Sequence, residues 1–460
     1  MDILLTHGYF LLEDAIEKEV MKPYPTLGLL YISAYLKSCG FDVEVLDSTF
    51  QSREAVLHTL ACDRPPVVGI YCNLMTKPNV LALITACKQF EATVILGGPE
   101  PHNYAEEYLR FGADIIVIGE AELTLRDLLP HLSEKGLTKL DEISGIVFMD
   151  MNEEVVTTEP RPLHPNLDDF PFPDRQAIDM AKYLDTWKVY HDMSAVSLIT
   201  ARGCPYTCTW CSHSVYGVSH RRRSVDNVIQ EVELIREAYA PDMLWYADDV
   251  FTIHTRWFFE YAAALKRCNL NIPFECISRE DRLNEDVIRT LAEMGCFRLW
   301  IGSESGSQRV LDAMQRRTNA ERVREMTKLL QKYGIQAGMF IMLGYEGETE
   351  ADLALTVEHL KQANPDIFLT TVSYPIKGTE YYRQVAERVQ AKKPWAQRTD
   401  RDLIVEGRHS KRFYQHANRW MVNEVNCHRQ WQAAERNYPG ILRSYLYAKL
   451  GRIGMNWSSW

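Results

Sequence analysis

No run of about eighteen apolar residues occurs in this 460-residue sequence, so a membrane-spanning helix is not expected. Met1-Asp2-Ile3-Leu4-Leu5-Thr6 enters a strand-like pattern with no basic segment ahead of it, so no secretory leader is expected either. Positive charge is in short supply: 51 Lys and Arg stand against 62 Asp and Glu, a formal net charge of −11. That balance argues against long contact with a phosphate backbone, and nucleic acid is not an expected partner. No GxGxxG follows the first strand and no P-loop is present, which disfavours a nicotinamide or flavin dinucleotide domain. Eleven scattered cysteines without a leader fit a reducing compartment better than a disulfide framework, and a cytoplasmic location is expected. What is there, 46% hydrophobic and 25% charged, suffices for two or three cores.

The fold class is α/β. Short β-branched runs at Ile3 to Thr6, Val43 to Leu46, Val67 to Tyr71, Thr93 to Leu96 and Ile115 to Ile118 alternate with helical patterns, as buried parallel strands do. The clearest helix runs from Leu27 to Ser38 and stops at Gly40. A doubly wound, Rossmann-like domain follows over residues 1–140, with its ligand loops at Tyr71 to Met75, Gly97 to Glu100 and Gly119-Glu120. Residues 141–193 read as a hairpin, Ile146 to Asp150 and Val155 to Thr158, and a stiff linker rich in proline. Alternation resumes over 194–380, with strands near Ser197 to Ala201, Leu244 to Ala247, Phe274 to Ser278, Leu299 to Gly302, Gln336 to Leu343 and Phe368 to Ser373. Helix starts are marked by Ser224, Asn284 and Thr349, the last with Asp352 at capping-box spacing. Six such units make a partial (β/α)6, TIM-type barrel. Residues 381–460 are rich in aromatic and basic side chains, with helical spacing at Arg412 to Val425 and Ile441 to Leu450, and read as a small helical cap over the barrel mouth. Its aromatics serve substrate recognition or packing.

The most informative motif is Cys204-Pro205-Tyr206-Thr207-Cys208-Thr209-Trp210-Cys211, a CxxxCxxC loop just after a strand-like segment. Three thiolates this close can hold a 4Fe–4S cluster and leave one iron open. A Cys3His zinc site with His213 is the alternative, though zinc ligands usually come as two separated pairs.

With an aromatic residue before its last cysteine, the loop resembles the signature of the radical SAM superfamily. In that family the open iron binds S-adenosylmethionine (SAM), and one electron cleaves it to methionine and a 5′-deoxyadenosyl radical. Pro25 to Leu30, Leu96-Gly97-Gly98-Pro99 and Gly112-Ala113-Asp114 through Glu122 resemble the cobalamin-binding domain that precedes the barrel in one large subclass. The resemblance implies that Cys204, Cys208 and Cys211 ligate the cluster. It implies that Trp210, Asp248, Ser278, Arg279, Glu304 and Met342 contact SAM. Asn73, Leu74, Met75, Gly97, Gly98, Pro99, Gly119 and Glu120 would contact cobalamin, the first three beneath the corrin, because the DxHxxG motif that supplies a cobalt histidine is missing.

Several of these residues carry a second reading. Asp248 could cap a helix, Arg279 could bridge to Glu280 or Asp281, and Met342 could be core. Gly97 and Gly98 could make tight turns only. Arg221-Arg222-Arg223 reads as an anion site or a solvated turn.

The resemblance implies C-methylation of an unactivated carbon in a small molecule, lipid or natural product, with an electron donor such as flavodoxin or ferredoxin. Its alternative is cyclisation or rearrangement without methyl transfer, as in the anaerobic magnesium-protoporphyrin ester cyclases. A non-catalytic corrinoid carrier or sensor is a third reading. Methylthiotransferases are similar in layout, but Cys39, Cys62, Cys72 and Cys87 do not follow their cluster motif.

Overall fold

The computed structural model describes residues 1–458, and the last two residues of the expected C-terminal region lie outside them. The chain divides into two compact units. The first holds Met1–Pro205, Ser212–Trp245 and Lys393–Asp402, and the second holds Tyr206–Cys211, Tyr246–Lys392 and Leu403–Trp460.

The first unit is built on a seven-stranded sheet of β1 (Ile3–His7), β2 (Val43–Leu46), β3 (Val67–Tyr71), β4 (Thr93–Gly97), β5 (Ile115–Val117), β6 (Ile146–Met149) and β7 (Val155–Thr157), in the order β2-β1-β3-β4-β5-β6-β7. β1 to β5 run parallel, while β6 and β7 add antiparallel to β5. Successive residues of the parallel strands enter different cores. Leu4, Val68, Val94, Leu96 and Ile116 pack on one face, and Ile3, Leu5, Ile95, Ile115 and Val117 on the other. Each buried side chain contributes roughly 1.5–3 kcal/mol, which is why these strands read as apolar throughout. The hairpin expected between the domains is thus part of the first sheet. Its buried Ile146, Val147 and Phe148 need that sheet's core, and the sheet continues past residue 140.

Two further strands, β8 (Ala195–Leu198) and β9 (Met243–Tyr246), lie in the first unit up to the boundary at Tyr246, and the sheet of the second unit holds β10 (Phe274–Ser278), β11 (Cys296–Glu304), β12 (Gln336–Leu343) and β13 (Ile367–Val372), in the order β13-β12-β11-β10. β10 to β13 pair in parallel. Helix starts fall where capping chemistry puts them: the side chains of Ser224, Asn284 and Thr349 each accept a backbone N–H two or three residues into a helix, and Thr349 with Asp352 completes the capping box.

At the C-terminal end lie two helices longer than their periodicity suggested, Lys411–Gln432 and Tyr438–Trp457. The first of them packs along the edge of the sheet: Thr370 of β13 donates to Asn418 at 2.7 Å, and Lys361 pairs with Glu424 at 2.8 Å. Its first turn reaches the strand ends, where a Cβ on Gly344 would lie 2.6 Å from the Tyr414 ring. The first helix therefore lies on the half-exposed edge strand, with its first turn at the strand ends.

Candidate active site

In the second unit the cysteine loop is fixed by the residue directly after Cys208. Thr209 donates both its N–H and its hydroxyl to the Met314 carbonyl at 3.1 Å, shares a hydrogen with Tyr345 Oη at 2.5 Å, and accepts the Tyr381 N–H at 2.8 Å. Trp210 packs on the cluster of Val310, Met314, Met342, Tyr345 and Tyr381, so the tryptophan and Met342 of β12 share one apolar wall. Cys208 is buried and Cys211 exposed. A hydrogen bond from Cys211 and the nearby Arg279 charge outweigh burial and bring the Cys208 thiol down to about 7.

Arg279 follows β10 and is only 1% exposed. Its Nε donates to Asp281 at 2.9 Å, Nη2 donates to the carbonyls of Arg316 and Arg317, and the guanidinium lies 3.7 Å from the Tyr206 ring centroid. Nη1 is buried without a hydrogen-bond partner. The structural bridge to Asp281 thus forms and still leaves one donor free. Glu280 makes no such bridge; burial pushes it up to about 7. Ser278 is buried and hydrogen-bonded to Thr252 at 2.5 Å. Asp248, two residues past β9, is also buried. It does not cap the next helix, which starts at Thr255 with His254 in the cap position.

Glu304 ends β11 after a register shift that sets Gly302 opposite Phe340 and Glu304 opposite Ile341. The extra residue and a left-handed φ of 62° re-aim the side chain. Burial, reinforced by the Cys208 charge, pushes the Glu304 carboxyl up to about 8. Arg316, missed by sequence reasoning, joins these groups. Its Nη1 is 3.9 Å from Cys208 Sγ, its Nε is 3.8 Å from Glu304 Oε1, its Nη2 donates to Gly302 O at 2.9 Å, and the guanidinium is 6.0 Å from the Trp210 ring. Gln315 and Arg317 on either side have φ of 51° and 52°, a strained turn that no glycine announces.

In the first unit Cys204 follows Gly203, whose φ is 88° and whose added Cβ would meet Ser219 O at 2.6 Å. An isolated bridge pairs Cys204 with Val218. Among the described residues no three His, Cys, Asp or Glu side chains are gathered closely enough to hold a metal ion.

Asn73, Leu74 and Met75 form the turn after β3. The Asn73 amide oxygen accepts the N–H groups of Met75 and Thr76 at 2.9 and 3.0 Å, so that side chain holds the loop, and Met75 is the exposed member. Gly98 (φ 107°) is required by its neighbour: a Cβ would meet Cys72 O at 2.3 Å. At Gly97 a Cβ would meet no atom within 4 Å, so the space over the end of β4 is open. Pro99 O accepts from Asn103 at 3.2 Å. Gly119 (φ 78°) borders a cavity of about 310 Å³ lined also by His102, Glu122, His164 and His213.

Glu120 lines the same cavity but is committed to Arg202 and Arg221 at 2.6 and 2.7 Å. The arginine run is accordingly not a solvated turn. Arg221 serves Glu120, Arg222 donates to Thr200, and buried Arg223 pairs with buried Glu231. A second missed group sits beside Gly98: Lys77 is buried 3.7 Å from Glu100 and 4.0 Å from the Trp395 ring.

Two family models match parts of the chain. The B12 binding domain family model matches residues 15–129, and the Radical SAM superfamily model matches 198–360. An uncharacterized methyltransferase of Pyrococcus horikoshii is 27% identical over 408 residues, 86% of each chain. The anaerobic magnesium-protoporphyrin IX monomethyl ester cyclase of Rubrivivax gelatinosus is 24% identical over 81% of this chain and 68% of that one. Among solved structures, the radical SAM methyltransferase TsrM of Kitasatospora setae, with cobalamin and a 4Fe–4S cluster bound, has a similar fold: TM-score 0.69, 18% identity, 85% of this chain and 78% of that one.

Proposed function

Starting from a chain that joins a B12-binding domain to a radical SAM domain, we propose an enzyme that methylates an unactivated carbon of a small molecule with a 4Fe–4S cluster, SAM and cobalamin. The observation that carries the reading is the donor set of the cysteine loop: three thiols, one of them acidified to about 7 beside a buried arginine with an unpartnered donor. Bound together, these cofactors supply one-electron cleavage of SAM and a methyl group carried on cobalt. Everything else falls to the chain.

Cys204, Cys208 and Cys211 would hold the cluster. The free Nη1 of Arg279 suits a carboxylate, such as that of SAM, in a setting where a bare buried donor is costly. Glu304 at about 8 holds a proton at neutral pH and can donate to a hydroxyl or, once ionised, accept from an ammonium. Asp248 and Ser278 face the same task from β9 and β10. Trp210 and Met342 offer an apolar wall to adenine. Gly97, which leaves open space at its strand end, Gly119 at the cavity rim and the exposed Met75 would hold the corrinoid. The electron comes from a donor such as flavodoxin or ferredoxin.

The named methyltransferase relative, similar over most of both chains, supports methyl transfer. The cyclase relative keeps cyclisation without methyl transfer as the second reading. The deciding experiment is anaerobic incubation of iron-reconstituted, cobalamin-loaded protein with SAM and a one-electron reductant. Mass spectrometry reads 5′-deoxyadenosine and S-adenosylhomocysteine. Both products are expected. Deoxyadenosine alone would favour cyclisation, and neither product would overturn the radical reading. Cys208→Ala should abolish cleavage and leave cobalamin binding intact.

A further inference from the structure

The last helix carries its side chains in an unusual order. Tyr438–Trp457 buries Gly440, Ile441, Ser444, Ala448, Gly451 and Met455 against its partner helix. The approach is close: a Cβ at Gly451 would meet the Trp420 backbone N at 2.6 Å. Small residues thus dominate the inner face, and most of the large ones are left outside. Leu442, Leu446, Leu450, Ile453 and Trp457 are all more than half exposed. Their spacing of three and four residues places them within about 80° of one another, opposite the buried stripe.

Cations border this crest on both sides. Arg443 follows Leu442 on one flank and Lys449 lies on the other, with Tyr445 and Tyr447 beside them, and the helix has no Asp or Glu. From Gly407 to Trp460 the chain carries nine Lys and Arg against two Glu, although the whole protein has a net charge of −11. Positive charge is therefore concentrated where five large apolar side chains are exposed in a row. No described helix is long and apolar enough to cross a membrane.

We propose that this helix lies flat on an anionic phospholipid bilayer. Its aliphatic crest and Trp457 would enter the headgroup and acyl boundary, its tyrosines would sit at the headgroups, and Arg443 and Lys449 would pair with lipid phosphates. A second copy of the chain is a poorer occupant, because a two-fold contact through this crest sets the same cations against each other. The proposal does not depend on which reaction the active site performs.

Cofactor-loaded, full-length protein is to be sedimented with phosphatidylcholine vesicles with and without phosphatidylglycerol. Binding is expected only with phosphatidylglycerol, and it should weaken as salt rises. L446E/L450E should abolish it, and R443E/K449E should weaken it by about tenfold or more. The four positions are exposed, so unchanged circular dichroism and cofactor content verify that the variants fold. Absence of binding, or equal binding by wild type and both variants, would overturn the proposal. So would a wild-type dimer, bound to no vesicle, that L446E/L450E converts to monomer: the crest would then be an interface between copies.

Discussion

The Arg316 guanidinium stands 3.9 Å from the Cys208 sulfur and is anchored to the Gly302 carbonyl at 2.9 Å. A fixed cation beside one sulfur favours the more negative state of whatever that sulfur ligates. Arg316→Gln should therefore lower the midpoint potential of the reconstituted cluster, on the order of tens of millivolts, while Arg316→Lys retains most of it. An EPR-monitored redox titration checks this, and a glutamine variant with the wild-type potential refutes it.

Gly97 and Gly98 are neighbours with opposite requirements. A Cβ at 98 lies 2.3 Å from Cys72 O and on a backbone with φ of 107°, so Gly98→Ala should cost the first unit about 2 kcal/mol or more. At 97 the added methyl meets nothing within 4 Å, so Gly97→Ala should melt like wild type. If a corrinoid lies over that strand end, Gly97→Ala will nonetheless bind hydroxocobalamin several-fold more weakly, on the scale of about 1 kcal/mol for a misplaced methyl. Thermal melts and visible-absorption titrations separate the two effects. Undiminished binding by Gly97→Ala would remove the corrinoid from that position.

How much of this was legible in the sequence follows from how local each cause is. Strands such as Phe274–Ser278 and Gln336–Leu343 coincide with their apolar runs, because most of their residues are buried. The Thr349 capping box was legible for the same reason: its partners lie three residues apart. The hairpin at Ile146 gave no sign that it would join the first sheet, since pairing with β5 is a long-range choice that alternation does not encode. Arg316 was invisible because its role depends on Cys208, 108 positions earlier, and on a left-handed turn without glycine. Lys77 did leave a trace: a lysine opening a helix opposes the helix dipole, and such a residue needs another reason to be there.

His359 gives the second unit a pH limit on its acid side. The ring is buried, contacts Ser303 Oγ at 3.0 Å, and is pushed down to about 4 by burial first and the Arg324 charge second. Unfolded histidine titrates near 6.5, so between those values the unfolded chain binds more protons than the folded one. The contribution is complete above pH ~6.5 and is lost as pH falls toward ~4, at most about 3 kcal/mol. His359→Gln, which can still meet Ser303, should lose less stability than wild type over that interval in urea melts. Parallel pH profiles would contradict the assignment.

Glu100 acts in the opposite sense in the first unit. Burial pushes its carboxyl up to about 7 from 4.5, with Lys77 pulling the other way at 3.7 Å. Here the folded chain binds more protons between the two values, so the contribution is full below pH ~4.5 and is lost as pH rises through ~7. Ionisation leaves a buried carboxylate whose support from Lys77 and Tyr108 does not offset its burial. Glu100→Gln removes the titration while keeping an acceptor toward Lys77. Wild type should therefore lose stability relative to Glu100→Gln as pH climbs from about 5 to about 8, by up to roughly 3 kcal/mol. Urea denaturation of both proteins across that range reads the difference directly. If the two curves stay parallel, Glu100 is ionised throughout, and the Lys77 pair is a settled ion pair in place of a proton-holding site.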